Sequence, residues 1–269
     1  MSSPLHFTVE ARDPHCAART GRLRLPHGEV ETPVFMPVGT QGSVKALTQD
    51  DLEALGASII LGNTYHLYLR PGTPVLEAAG GLHGFMDWRR PVLTDSGGYQ
   101  VYSLSDLNKV TPDGVEFRSH LDGSRHFFTP ERSLDVQRSI GADIVMAFDE
   151  CTPYPVDRDR AAQSMQLSLE WAARCKRHWQ DSGMAARQAL FGIVQGSVFE
   201  DLRRASAEAT VALDFPGYAI GGVSVGESKE EMVQAVDWVA PRLPEARPRY
   251  LMGVGPPEDI LEAVERGVD

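Results

Sequence analysis

The chain has 269 residues, 42% hydrophobic and 23% charged, which suits one globular domain with a sizeable core. No apolar run is long enough to span a bilayer, and the N-terminal stretch MSSPLHFTVEARD lacks the basic start and apolar core of a secretory signal; these points exclude a membrane span and favour the cytoplasm. Three widely spaced cysteines (Cys16, Cys151, Cys175) cannot all pair and offer no metal cluster, and a net charge of −11 runs against a broadly basic nucleic-acid surface.

In chain order, residues 5–33 read as a short antiparallel meander that can cap one end of a larger fold. An apolar run at 34–40 (VFMPVGT) follows, then Thr48 before DDLEALG as a helix start, and a second run at 58–64 (SIILGNT). The third run, 92–98 (VLTDSGG), precedes residues 111–128, which read as an inserted hairpin with Asp122-Gly123 at its turn. Thr129-Pro130 then opens ERSLDVQRSIG, an N-cap with proline at the first helical position. Runs at 143–150 (DIVMAFDE), 189–196 (ALFGIVQG), 218–226 (YAIGGVSVG) and 250–255 (YLMGVG) alternate with amphipathic helices over 158–180, 200–213, 229–242 and 257–266.

Short runs without polar alternation suit strands buried on both faces, and their alternation with helices predicts a parallel α/β barrel of the (β/α)8 TIM type. Seven strand candidates are found where such a barrel closes with eight, so residues 1–269 are expected to form a single TIM-type domain lacking its eighth strand. A sheet left unclosed in this way is also expected to be marginally stable.

In this fold, chemistry gathers at the C-terminal ends of the strands. Those ends carry Asp95-Ser96-Gly97-Gly98-Tyr99-Gln100, Asp149-Glu150-Cys151, Gln195-Gly196, the stretch from Gly221 through Gly222, Val223 and Val225 to Glu227, and Met252-Gly253. A guanine-like base would match such a set. Its N1–H and exocyclic amine fit the two oxygens of Asp149, its carbonyl oxygen suits the Gln195 amide and the Gly222 N–H, and Tyr99 and Met252 can sandwich the ring. Asp95 is a second carboxylate, available for proton transfer.

Taken singly, each element has a plainer reading. Asp95 suits an N-cap, the glycines suit turns, Cys151 and Met252 suit core packing, Tyr65 and His66 suit packing or support, and 227–231 suits a solvated helix start. Usable groups at the same end of five consecutive strands are harder to explain as turns.

The strings TDSGGYQ, AFDEC, GIVQG, AIGGVSVGE and YLMGVG, together with LGNTYHLYLRPG and TPVFMPVGTQGSVKALT, closely resemble the bacterial-type tRNA-guanine transglycosylase (queuine tRNA-ribosyltransferase) family in order and spacing over essentially the whole chain. The resemblance implies exchange of a guanine at the anticodon wobble position of a tRNA with a GUN anticodon for preQ1, in queuosine biosynthesis, by a homodimer. It implies that Asp149 reads the base edge, Gln195 and Gly222 bind its carbonyl, Tyr99 and Met252 stack on it, and Asp95 is general acid/base with Ser96 in support. It further implies a Val223 carbonyl facing an aminomethyl substituent, with Glu227 reorienting that peptide, and residues of the preQ1-using type at Cys151 and Val225. The family's leucine is replaced at Val223, a change of little consequence for a backbone contact. The family's aspartate nucleophile, in a Met-Phe-Asp-Cys motif, and its zinc site of three cysteines and a histidine are implied beyond Asp269, so Asp269 is not given the nucleophile's role. Two other readings are a catalytically inactive base- or tRNA-binding partner subunit and a phosphosugar-binding barrel, which intact Asp95, Asp149 and Gln195 disfavour.

Overall fold

The structure, a computed structural model, describes residues 4–104 and 108–269. It opens with β1 (His6–Arg12), β2 (Arg19–Leu25) and β3 (Gly28–Thr32), an antiparallel sheet in that order. Alternation along β2 explains its orientation. Leu23 and Leu25 turn inward, while Arg22 faces out and pairs with Glu10 and Glu31.

Next come α1 (Gln49–Ala54), β4 (Ile60–Gly62), α2 (Thr64–Leu69), α3 (Thr73–Ala78), α4 (Leu82–Met86), β5 (Val92–Thr94) and α5 (Gly98–Leu104). A second antiparallel sheet of β6 (Asn108–Thr111), β7 (Gly114–Arg118) and β8 (Arg125–Phe128) leads into α6 (Pro130–Ile140) and β9 (Ile144–Met146). The chain ends through α7 (Arg158–Asp181), β10 (Ala189–Val194), α8 (Glu200–Ala212), β11 (Gly217–Ile220), α9 (Lys229–Val239), β12 (Arg249–Leu251) and α10 (Pro257–Glu265). The helix starts read from sequence hold: Thr48 forms a capping box with Asp51, and Thr129 caps α6 with proline in its first turn.

Six strands form one parallel sheet in the order β4-β5-β9-β10-β11-β12, a partial TIM-type barrel. The first expected strand, residues 34–40, is reduced to a single parallel bridge between Val38 and Leu61. Pro33 and Pro37 bring no N–H to a ladder, so pairing is limited to Gly39 N–H on the Leu61 carbonyl (2.7 Å) and Leu61 N–H on the Pro37 carbonyl (2.9 Å). The inserted hairpin is likewise corrected: it is a three-stranded meander that begins at Asn108, one strand earlier than the alternation of residues 111–128 revealed.

Both faces of the parallel sheet are buried, which is why its strands lack polar alternation. Leu61, Leu93, Ile144, Met146, Phe191 and Ile193 turn into the barrel and meet Leu5, Leu23, Leu25 and Val30 of the N-terminal cap. Ile60, Val92, Val145, Leu190, Val194 and Tyr218 turn outward against the helices. The cap therefore plugs the floor, the end where the strands begin. Polar anchors hold it there. Arg19 grips the buried Asp269 carboxylate with Nε (2.9 Å) and Nη2 (2.5 Å), and His27 Nδ1 lies 2.8 Å from Asp143. Asp269 also links the two sheet edges, accepting from Val34 N–H and donating to the Arg249 carbonyl, both at 2.9 Å. Among the described residues no helix is long and apolar enough to cross a membrane.

Candidate functional site

A cavity of about 610 Å³ opens at the opposite end, and its lining reaches as far as Val34, Val268 and Asp269. The segments after β4, β5, β9, β10, β11 and β12 all reach it. Nine of the ten residues singled out from the sequence line its wall: Asp95, Ser96, Tyr99, Asp149, Cys151, Gln195, Gly222, Val223 and Met252. Glu227 does not line it. Its carboxylate accepts from the backbone N–H of Ser224 and of Val225 (2.9 Å) and so fixes the turn behind Val223. The solvated helix start read at 227–231 holds, with Ser228 as N-cap, Glu231 closing its capping box and Lys229 and Glu230 exposed, while Glu227 is tied into the turn ahead of it.

Asp149 lies just beyond β9, where a carboxylate is enclosed by strands on both sides. Ser96 Oγ donates to one of its oxygens and Gln195 Nε2 to the other, each at 2.7 Å. Burial raises the Asp149 pKa, and these two hydrogen bonds only partly oppose it. Gly98 is required beside it, since a Cβ at that position would stand 2.3 Å from the Asp149 carbonyl oxygen.

Asp95 faces the same cavity. Its Oδ1 accepts from the N–H groups of Thr64 (2.8 Å) and Gly97 (3.2 Å), and its Oδ2 from Asn63 Nδ2 and Gln100 Nε2 (2.9 Å). Burial pushes its pKa up to about 6 despite these four donors. Ser96, expected to support Asp95, instead points its hydroxyl at Asp149. Asp149 follows β9, which pairs with β5, so the Ser96 hydroxyl meets the carboxylate at the neighbouring strand end.

Tyr99 is 46% exposed and Met252 is half-buried, and both line the cavity, supplying it with an aromatic ring and a polarizable thioether. Gly222 holds φ of +62°, and a Cβ there would stand 2.2 Å from Gln195 Oε1. Cys151 is buried in the wall, its thiol pushed up to about 12, chiefly by burial.

Sequence reasoning gives no role to Asn63, Gln100 or Arg203, although Gln100 is named at the end of the third run. The first two stand at strand ends already in view, and the rule that located Asp95 applies equally to them. Arg203, fully buried on α8, has no such signal, because its hydrogen-bond partners lie on other elements.

Among the described residues, no set of ligands fits a zinc site of three cysteines and a histidine. Cys16 is exposed, while Cys175 is buried on α7 against the Phe148 N–H, away from the wall that holds Cys151. One group among the described residues brings metal-binding side chains together: His27, His83 and Asp143 at the floor. It contains no cysteine, its imidazoles stack with centroids 3.6 Å apart, and the carboxylate already accepts from the N–H groups of Val92 and His27.

A partial barrel of the TIM type thus carries two buried carboxylates and an amide at its mouth, the end where enzymes of this fold place their chemistry. A family profile described as queuine tRNA-ribosyltransferase matches residues 13–269. A queuine tRNA-ribosyltransferase of Caldanaerobacter subterraneus subsp. tengcongensis is 59% identical over 265 residues, covering 98% of this chain and 70% of the relative. Those of Halothermothrix orenii (56% identical; 98% and 70% covered) and Thioalkalivibrio sulfidiphilus (61% identical; 94% and 67% covered) agree. The chain belongs to the queuine tRNA-ribosyltransferase family, whose members are pentosyltransferases.

Proposed function

We propose that the cavity is the base pocket of a tRNA-guanine transglycosylase that exchanges the wobble guanine of a tRNA with a GUN anticodon for preQ1. The observation that carries this reading is the arrangement of Asp149. It is a buried carboxylate in the cavity lining, and its two oxygens are held by Ser96 and Gln195, themselves lining residues. A guanine-type edge offers two adjacent N–H donors to such a carboxylate, and Gln195, once released, can turn its Nε2 to the base carbonyl.

On this reading Asp149 reads the base edge, Gln195 and the Gly222 N–H bind the carbonyl, and Tyr99 and Met252 stack on the ring. Asp95, with its pKa near 6, can hold or release a proton close to neutrality, as exchange of one base for another requires. Ser96 steadies Asp149. The Val223 carbonyl, backed by Glu227, receives the aminomethyl group of preQ1, and Cys151 closes the wall. Asp269 is unsuited to attack a ribose, because Arg19 holds both of its oxygens at the floor. The nucleophile, the zinc ion, the tRNA partner and the homodimer rest on the resemblance, and no residue of the described chain is assigned to the covalent step.

Calorimetry with guanine, preQ1 and adenine tests the pocket. Guanine and preQ1 are expected to bind and adenine, which lacks the N1–H, is not. Equal affinity for adenine, or binding of phosphosugars in place of purines, would overturn the reading.

A further inference from the structure

Arg203 is 0% exposed and directs its whole guanidinium at backbone carbonyls. Nε donates to Ser197 (2.5 Å), Nη1 to Gly221 (2.5 Å) and Val194 (3.3 Å), and Nη2 to Gly222 (2.7 Å). One side chain thus ties the end of β10, which carries Gln195, to the end of β11, which carries the glycine pair.

Peptide planarity converts these bonds into a statement about the cavity. In a trans peptide the N–H points opposite to the C=O. The Gly221 and Gly222 carbonyls both face the guanidinium, so the Gly222 and Val223 N–H groups face away from it, where Gly221, Gly222 and Val223 line the cavity. In an extended strand successive carbonyls alternate sides. Here the left-handed φ of +62° at Gly222 lets two consecutive carbonyls meet one cation and two consecutive N–H groups meet one ligand atom, an anion-binding concavity of backbone amides.

The choice of residue follows. Arginine offers five donors in a rigid plane, whereas lysine offers three on one atom and cannot span four carbonyls. Burial lowers the Arg203 pKa to about 10, which leaves it charged at neutral pH. A fixed positive charge behind two peptides polarises them and strengthens their N–H groups as donors toward an oxygen gaining negative charge.

We propose that Arg203 is a positioning residue: by clamping the Gly221 and Gly222 carbonyls it fixes the Gly222 and Val223 N–H pair as the receptor for the 6-oxygen of the base, and so sets the preference for a 6-oxopurine. The proposal rests on the base-pocket reading above.

The test compares guanine with 6-thioguanine, which keeps the N1–H and amine read by Asp149 but presents a weakly accepting sulfur. Calorimetry on the unaltered chain and on Arg203→Lys is expected to show the preference for guanine over 6-thioguanine falling about tenfold in the variant. A merely structural role would weaken both ligands together, and an unchanged ratio overturns the proposal. Failure of the unaltered chain to bind either base would overturn the base-pocket reading itself, so the two failures are distinct. If Arg203→Lys folds poorly, amide hydrogen exchange on the unaltered chain decides. The Gly222 and Val223 amides are expected to slow about tenfold more with guanine than with 6-thioguanine, and equal protection overturns the proposal.

Discussion

The two ends of the barrel bury carboxylates in opposite ways. At the floor, burial alone would raise the Asp143 pKa, but His83, the Val92 N–H and His27 outweigh it and hold the carboxyl below its usual range. At the mouth, burial outweighs the donors around Asp95 and Asp149, and both are raised. The sign of the shift separates a carboxylate whose partners outweigh its burial from one whose burial outweighs its partners, the state that the proposed base pocket asks of Asp95 and Asp149. A lowered carboxylate contributes stability that is present at neutral pH and lost as pH falls through its folded pKa. A raised one subtracts stability at neutral pH, and that loss is recovered as pH falls through about 6, the Asp95 value, toward the ordinary carboxylate range.

Exchanging carboxylate for amide at each end is the strongest way to break this contrast. Asp143→Asn sets an amide NH2 against backbone and imidazole donors at a side chain with 0% exposure, and is expected to destabilise the fold by about 3 kcal/mol, lowering the Tm by roughly 10 °C. Asp149→Asn removes a buried charge while keeping the Gln195 bond, and the Ser96 hydroxyl can reverse to accept. Its Tm at pH 7 is expected to stay level or rise. Scanning calorimetry checks both, and a larger loss at Asp149 would end the distinction.

A pair of glycines sharpens it. Gly222→Ala meets Gln195 Oε1 and an unfavourable φ, and is expected to weaken guanine binding about tenfold or more. Gly123→Ala also has positive φ, but nothing lies within 4 Å of its Cβ, so about 1 kcal/mol of stability is lost without change in guanine affinity. Equal binding losses would show that backbone strain alone, rather than the pocket, is being measured.

The pH dependence of binding gives a smaller effect. Ionised Asp149 accepts two N–H groups and its protonated form cannot, so guanine affinity should fall a few-fold as pH drops from neutrality toward the ordinary carboxylate range, earlier than for an unshifted carboxylate. A flat profile across that window would contradict a raised pocket carboxylate. Smaller still is the response to thiol reagents. Exposed Cys16 should label rapidly at pH 8, while Cys151 and Cys175, both pushed up to about 12, should lag at least about a hundredfold. Rapid labelling of Cys151 would mean that the wall opens.

Much of the fold was legible because buried parallel strands leave a plain signal, short apolar runs ending in glycine. Six of seven runs became strands. The run at 34–40 fell short because Pro37, and Pro33 just before the run, cannot donate to a ladder. The meander at 108–128 was half read, since β6 carries too little alternation to stand out. In the site, strand-end residues such as Asp95, Asp149 and Gln195 could be found by position. Pairings could not be read in this way. Ser96 serves Asp149 across 53 residues of sequence, and Arg203 reaches Gly221 across 18. An arginine inside a helix pattern gives no hint that it is wholly buried.

Guanine titrated into this chain and into Asp149→Asn, side by side in a calorimeter at pH 7, tests the base pocket most directly. Binding by the unaltered chain, weakened about a hundredfold or more in the variant, is the predicted result, because two charge-assisted hydrogen bonds are lost. Equal binding by both proteins, or none by either, would contradict it.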